Sequence, residues 1–234
     1  MHYPQIIAHR CGGVLAAENS LAGLAAAARI GCRGVEFDTM LSADGVPVLM
    51  HDDTVDRTTS GHGAVARLTV ADLRRLNLRG EPVPLLAEAL ARCAELGLWA
   101  NIEIKVATGC DEAELGRAVA RTLAESWNGH GVISSFSIPA LLAAKSQPSR
   151  HAAFALLVDD LPVDWQAQVR EINAIAVHMD ATFATPDKIA AVREIGRAVA
   201  CYTVNERSEA ERLLSSGATA IFTDHPEFWA STAA

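Results

Sequence analysis

Lysine is nearly missing from this chain: Lys105, Lys145 and Lys188 stand against seventeen arginines. With 28 acidic residues and a formal charge of −8, no basic stripe is available to displace phosphate counterions, which argues against a general nucleic-acid binder. Long apolar runs are absent too. The blandest stretch, "LAGLAAAARI", closes on Arg29 and is followed by Gly31-Cys32-Arg33, well short of the roughly 20 apolar residues a membrane span needs. The opening "MHYPQIIAHR" contains no apolar core of the length a cleavable leader requires, so a cytoplasmic location is expected. Paired-cysteine motifs are lacking. Cys11, Cys32, Cys93, Cys110 and Cys201 are odd in number, widely spaced and form no CxxC, against a disulfide framework or a zinc ribbon.

What is present is core material. Half of the 234 residues are hydrophobic and 21% are charged, enough for one large core. Eight short apolar runs read as strands, at 5–9, 35–40, 98–104, 131–135, 153–158, 174–178, 198–204 and 220–223. Helical patterns lie between them at 20–30, 85–96, 112–126, 138–144, 164–172, 186–195 and 208–215. Several end at glycine, as in "ARIGCRG", "AELGLW", "REIGRA" and "SSGATA", the residue type that best tolerates a left-handed helix end. Strand and helix alternating eight times predict a TIM (β/α)8 barrel. Residues 41–82 are too long for a βα loop and carry their own turns, so a hairpin arm and a small insertion after the second strand are expected, with a short helix over 69–76. No linker or repeat divides the chain, so 1–234 reads as a single domain.

Ionisable residues gather where the strands end. The runs close on His9-Arg10, Glu36-Phe37-Asp38, Glu103-Ile104-Lys105, His178-Met179-Asp180, Tyr202-Thr203-Val204-Asn205 and Thr223-Asp224-His225. In a barrel those ends form one rim, where such enzymes carry their chemistry. Crowding charges there is costly unless they pair or bind something. Glu36 and Asp38 share one face of their strand, as do Glu103 and Lys105. If both faces meet the axis, three carboxylates converge, and an all-oxygen set favours one hard divalent cation, Mg²⁺ or Ca²⁺. With Arg10 and Lys105 added, such a site keeps one positive charge, which a phosphodiester monoanion neutralises. His9 and His51 complete the set as an acid/base pair for P–O cleavage.

The segments "AHRCGG", "AENSLAG", "GVEFDTMLSADGVPVLMHDDTVDRTTSGHG", "NIEIK", "SSFS", "YTVN" and "TDHP", in that order over nearly the whole chain, resemble the glycerophosphodiester phosphodiesterase family of cytoplasmic bacterial type. The resemblance implies a TIM barrel and one divalent ion. It also implies metal-dependent hydrolysis of glycerophosphodiesters such as glycerophosphocholine or glycerophosphoethanolamine to sn-glycerol 3-phosphate and an alcohol. It carries His9 and His51 as the catalytic pair, Glu36, Asp38 and Glu103 as metal ligands, and Arg10 and Lys105 as phosphate contacts. Glu18 and Asn19 of "ENS" are implied near the metal and the phosphate or glycerol, and Asp52 as an orienting partner for His51. The chain departs from the family at Ala17, where proline is usual, and at Tyr202, where tryptophan is usual. The second change puts a hydroxyl on a wall of the substrate pocket.

Plainer readings stand beside these. Histidines at strand ends are often core residues; Glu36 or Asp38 could pair with Arg33 or Arg57; Lys105 could simply neutralise Glu103 or Glu36. Ser135 and Phe136 could be the packed end of a strand. His178 could line the pocket, Cys11 could line it too, His62 reads as a surface residue, and Asp224 as a helix cap or an acid behind the site. A lysophospholipase D or a glycerophosphoinositol-specific enzyme is the nearest alternative, the apolar "VARLTVADLRRLNL" offering a groove for an acyl chain. A phosphate-binding barrel without activity is a third, against which the complete set of acids and histidines speaks. The alanine-rich helical exterior would permit a homodimer.

Overall fold

The computed structural model describes residues 3–147 and 153–229. His2 and His151, to which the sequence assigns no role, lie outside them. Nine strands occur among the described residues: β1 (Ile6–Ala8), β2 (Gly34–Leu41), β3 (Pro47–Leu49), β4 (Trp99–Ile104), β5 (Gly131–Ser135), β6 (Ala153–Val158), β7 (Ala176–Asp180), β8 (Ala198–Tyr202) and β9 (Ala220–Thr223). All but β3 are parallel and run in the order β1-β9-β8-β7-β6-β5-β4-β2, and the β1–β2 pairing closes the ring. The helices are α1 (Leu21–Arg29), α2 (Val70–Leu73), α3 (Leu86–Leu96), α4 (Glu112–Ser126), α5 (Ile138–Lys145), α6 (Trp165–Ile172), α7 (Pro186–Glu194) and α8 (Arg207–Ser215). This is the TIM barrel that the alternation of patterns predicts.

Barrel strands are covered on both faces, so they read as nearly unbroken apolar runs. The outward face of β2, Val35 and Phe37, packs under the helices with Leu24, Leu90 and Leu115. Complete burial of a side chain such as Phe37 contributes about 2 kcal/mol. The closed end of the barrel is filled by Tyr3, Ile7, Trp99, Val132 and Phe222 against alanines 155, 176, 200 and 220 on β6 to β9. Large rings on one side therefore fill the space that small residues leave on the other.

Two boundaries differ from expectation with consequences for the site. β7 begins two residues later than expected, because α6 ends in a left-handed Asn173 (φ 55°) whose turn takes the Ala174 N–H onto the Val169 carbonyl. The strand then runs to Asp180, and His178 sits inside the barrel instead of on the rim. β1 stops at Ala8, and His9–Cys11 form a tight turn with Arg10 and Cys11 at positive φ.

Residues 41–82 fold back on the rim. β3 runs antiparallel to β2, with Thr39 opposite Leu49, and the helix expected over 69–76 is the single turn α2, closed by a Thr69–Asp72 capping box. Val65, Leu73 and Val55 pack with Met40, Val48, Met50 and Val83 into a small apolar cluster. The apolar residues of "VARLTVADLRRLNL" are thus used inward: Val65, Leu73 and Leu78 are fully buried. These three buried residues are not available to the acyl groove that the lysophospholipase D alternative would need. The far end of the segment caps α1, the Glu81 carboxylate accepting the backbone N–H of Leu21 and Ala22 at 3.1 and 3.2 Å.

Candidate active site

A pocket of about 440 Å³ opens at the C-terminal ends of the strands. Its floor and walls include His9, Arg10, Glu36, Asp38, His51, Glu103, Lys105 and Tyr202, joined by Asn101, Phe136, Leu157, His178 and Asp180. Register brings the acids together. Parallel pairing sets Glu36 beside Asn101 and Asp38 beside Glu103, with period-two alternation turning these side chains toward the axis. One oxygen from each of Glu36, Asp38 and Glu103 lies within 4.8 Å of the others. Oxygens around a Mg²⁺ or Ca²⁺ ion stand about 3 to 5 Å apart, so this spacing fits such an ion.

The electrostatics agree. Burial, then Asp38 and Glu103, push the Glu36 carboxyl well above the ordinary glutamate range. Burial and Asp38 push Glu103 up to about 7. Glu36 Oε1 is buried and has no hydrogen-bond partner, an orphan acceptor that a cation would satisfy. Lys105 Nζ lies 3.4 Å from both Asp38 Oδ1 and Glu103 Oε1. Burial alone would lower the Lys105 ammonium, yet Glu103, Asp38 and Glu36 hold it above the usual lysine value. Arg10 donates its backbone N–H to Glu36 Oε2 at 2.8 Å, while its Nε, 3.9 Å from Asp38 Oδ2, is buried without a partner.

Each histidine has a carboxylate behind it. His9 Nδ1 stands 2.7 Å from Asp224 Oδ1, and His51 Nδ1 stands 2.7 Å from Asp52 Oδ1. An ionised carboxylate only accepts, so Nδ1 carries the proton in both rings and Nε2 is left as the reactive nitrogen. The His9 hydrogen bond, assisted by Asn205, holds Asp224 down at about 2. Arg57, then His51, holds Asp52 far below the ordinary aspartate range. Asp224 is therefore the acid behind His9. The chain following His9 is seated on it: a Cβ at Gly13 (φ +57°) would lie 2.0 Å from the Asp224 carbonyl oxygen, and Val14 N–H donates to that oxygen at 2.7 Å.

Several expected substrate contacts have partners within the protein. Asn19, fully buried with φ 54°, gives both ends of its amide to Asp38: Nδ2 donates to Oδ2 at 2.9 Å and Oδ1 accepts the Asp38 N–H at 3.0 Å. Glu18 does not line the pocket; it is gripped by Arg57 at 2.6 and 2.7 Å and by Arg10 at 3.1 Å. Both residues hold other parts of the site through these bonds. Tyr202 lines the pocket, but its hydroxyl turns away and donates to the Val158 carbonyl at 2.8 Å, with Asp159 Oδ1 at 3.2 Å. The change from tryptophan therefore leaves an aromatic wall, packed edge-on against Phe136 at 6.3 Å.

The plainer readings divide. Ser135 is the packed end of β5, donating to the Ile104 carbonyl, whereas half-exposed Phe136 faces the pocket. His178, fully buried, reaches the pocket floor from below and shares a 3.0 Å hydrogen bond with Tyr3; burial pushes its imidazole down to about 3, so it stays neutral. Cys11 is buried against α1 and does not line the pocket. His62 is a surface residue paired with Asp56. Arg57 pairs with Glu18 and Asp52, not with Glu36 or Asp38.

Two contributors escaped the sequence reading. Asn205 clamps Asp224 as Asn19 clamps Asp38, donating to Oδ2 and accepting the Asp224 N–H, both at 2.9 Å. Its place in "YTVN" at a rim position was the available signal. Arg57, six residues past His51, carried none beyond its charge.

Residues 9–228 match the model of the glycerophosphoryl diester phosphodiesterase family. The glycerophosphodiester phosphodiesterase of Caldanaerobacter subterraneus is 29% identical, with 95% of this chain and 94% of that protein covered. Human glycerophosphodiester phosphodiesterase 1 is 45% identical over 109 residues, 42% of this chain and 33% of its own length. The structure of an Oleispira antarctica phosphodiesterase in complex with the product sn-glycerol-3-phosphate superposes with a TM-score of 0.91 at 32% identity, covering 96% of this chain and 94% of that one. A match across the fold, the rim and nearly the full length leaves one assignment: the chain belongs to the glycerophosphoryl diester phosphodiesterase family and is a phosphoric diester hydrolase.

Proposed function

We propose that this chain hydrolyses glycerophosphodiesters, such as glycerophosphocholine and glycerophosphoethanolamine, to sn-glycerol 3-phosphate and the free alcohol. One observation carries the reading: two histidines, each backed by an ionised aspartate, share a pocket with three converging carboxylates and two cationic side chains. The product complex of the Oleispira relative supports the glycerol phosphate part of it.

Glu36, Asp38 and Glu103 would hold one divalent cation, Mg²⁺ or Ca²⁺. When bound, that ion supplies positive charge and Lewis acidity beside the phosphate. Arg10 and Lys105 bind the non-bridging oxygens and offset the charge that builds up as phosphorus becomes five-coordinate. One imidazole Nε2 takes a proton from the nucleophile, either water or the substrate's own glycerol 2-hydroxyl, and in the second case water then opens the cyclic phosphate to glycerol 3-phosphate. The other imidazole, entering the cycle protonated on both nitrogens, delivers its Nε2 proton to the ester oxygen as the P–O bond breaks, so the alcohol leaves neutral. Asp52 and Asp224 keep each ring in the required tautomer, and Asn19 keeps Asp38 turned to the axis.

The far wall speaks to the alcohol. Leu157, Phe136, Tyr202 and Asp180 line it, with no lysine or arginine among the pocket residues on that side. Aromatic faces and a carboxylate suit a choline or ethanolamine group better than an anionic one. A cytoplasmic location belongs to the same reading; the five cysteines are unpaired and four are buried.

The test is a metal-depleted assay over a panel of head groups. Glycerol 3-phosphate should appear from the choline and ethanolamine diesters, vanish with EDTA and return with Mg²⁺ or Ca²⁺. Full activity in EDTA would remove the metal, and turnover of acylated forms alone would favour a lysophospholipase D.

A further inference from the structure

Arg57 lies on the inserted segment, outside the pocket, and half of its side chain is exposed. Its guanidinium nevertheless makes four short hydrogen bonds to two carboxylates. Nε and Nη2 donate to the two Asp52 oxygens at 2.6 and 3.0 Å. Nη1 and Nη2 donate to the two Glu18 oxygens at 2.6 and 2.7 Å. Asp52 in turn holds His51 at 2.7 Å, and Glu18 receives Arg10 at 3.1 Å. An unbroken chain of contacts therefore runs from one side of the pocket to the other, with Arg57 at its middle.

The reason such a link is needed lies in the fold. Arg10 follows a barrel strand, and its neighbour Asn19 is fixed to Asp38 by a buried amide pair. His51 follows the short antiparallel arm β3 and belongs to a segment with its own apolar cluster. Pairing of β3 with β2 and the Met50 N–H bond to the Asp38 carbonyl fix the backbone up to the residue before His51, while the imidazole itself is held by Asp52. A planar fork that engages one carboxylate from each body fixes that Asp52. Lysine, with a single nitrogen, cannot engage both pairs of oxygens in that plane.

We propose that Arg57 is a positioning residue for the reaction: by locking Asp52 to Glu18 it fixes the His51 imidazole relative to the phosphate-binding Arg10. This rests on the reading of His51 as one of the acid/base pair. Arg57 does not line the pocket, so its loss should lower kcat and spare KM. Removal of groups that orient a catalytic side chain costs about tenfold to a hundredfold.

The experiment is a kinetic cycle on the metal-loaded enzyme with Arg57→Ala, Arg57→Lys, His51→Ala and the double variant His51→Ala/Arg57→Ala. Expected are kcat losses of about tenfold to a hundredfold for both Arg57 variants, with KM within about threefold. In the His51→Ala background, adding Arg57→Ala should cost less than about threefold, because the group it orients is gone. Arg75→Ala, an exposed arginine of the same segment, should match wild type. The Glu81 cap on α1 remains in every variant, and melting curves report folding. Should Arg57→Ala not fold, Arg57→Lys decides alone: wild-type kcat in it, or a loss residing in KM, overturns the inference. Equal losses from Arg57→Ala with and without His51 overturn it as well. A His51→Ala enzyme as active as wild type instead overthrows the catalytic reading beneath it.

Discussion

The two imidazole–aspartate pairs have the same hydrogen-bond length, 2.7 Å, but are built from different materials. His9, Asp224 and Asn205 follow β1, β9 and β8, three adjacent barrel strands, and a neutral amide clamps the acid at both its side chain and its backbone. His51, Asp52 and Arg57 lie within seven residues of one inserted segment, and a half-exposed guanidinium clamps the acid. Sheet pairing carries the backbone to both rings, but the acid of the first pair is clamped by a rim amide and that of the second by a guanidinium. One design tolerates salt and solvent because its partners are fixed by backbone; the other gains adjustability and depends on an ion pair that solvent can reach.

Experiments can set these two designs against each other. The largest effect should come from the rings themselves: His9→Ala and His51→Ala should each reduce turnover by roughly a hundredfold or more while the fold survives, since each would remove one of the two groups proposed to transfer protons. Steady-state rates with a circular dichroism check decide this, and a variant near wild-type speed would remove that ring from the chemistry. Next come the acids. Asp224→Asn should cost roughly a hundredfold and Asp52→Asn roughly tenfold, both through tautomer and orientation. The order follows because Asp52 shares its anchoring with Glu18 and Arg57. The reverse order would show the charge network to be the firmer of the two.

Ionic strength should separate them further. Raising NaCl from 0.1 to about 1 M shortens the screening length from about 10 to 3 Å. The kcat penalty of Arg57→Ala should therefore shrink at high salt, while that of Asn205→Ala stays constant. Stability gives the smaller contrast. Asn205→Ala strands the Asp224 N–H and one carboxylate oxygen and should destabilise by about 1 to 3 kcal/mol in denaturant melts. Arg57→Ala, at an exposed ion pair, should change stability by about 0 to 1 kcal/mol.

Acid supplies the last test. The folded Asp224 carboxyl, held at about 2, sits below its unfolded value near about 3.9, so its stabilising share is complete above pH 4. That share is lost as pH falls from about 4 to 2. An Asp224→Asn variant should show a flatter acid limb in melting temperature over that window. An unchanged limb would mean that the His9 hydrogen bond stabilises nothing.

The barrel was legible because its signals are local and repeated. Eight apolar runs, helix caps such as Ser20, Asp111 and Ser137, and left-handed ends such as Gly97 all act within a few residues. The convergence of Glu36, Asp38 and Glu103 was legible for the same reason, since period two within a strand and parallel register between strands are short-range rules. Connections of long sequence separation were less so. That Asn19 serves Asp38, Glu18 serves Arg57 and the Tyr202 hydroxyl serves Val158 depends on how loops from different strands meet at the rim. The β7 boundary failed for a simpler reason: Ala174 is as apolar as a strand residue, and only the left-handed Asn173 shows that it completes a helix turn.

The ring-filled closed end of the barrel has a further consequence. Tyr3 and Trp99 pack at a tilt with centroids 4.7 Å apart, and Phe222 lies against His178 at 5.1 Å, so the interior is a blind cup and not a tube. Reactant and both products must share one mouth. Whichever fragment keeps hold of the cationic corner after cleavage will stand in the way of the next molecule, and its escape competes directly with the following arrival. Inhibition by accumulated glycerol phosphate should accordingly be competitive, and any acceleration of this enzyme would have to begin at its exit.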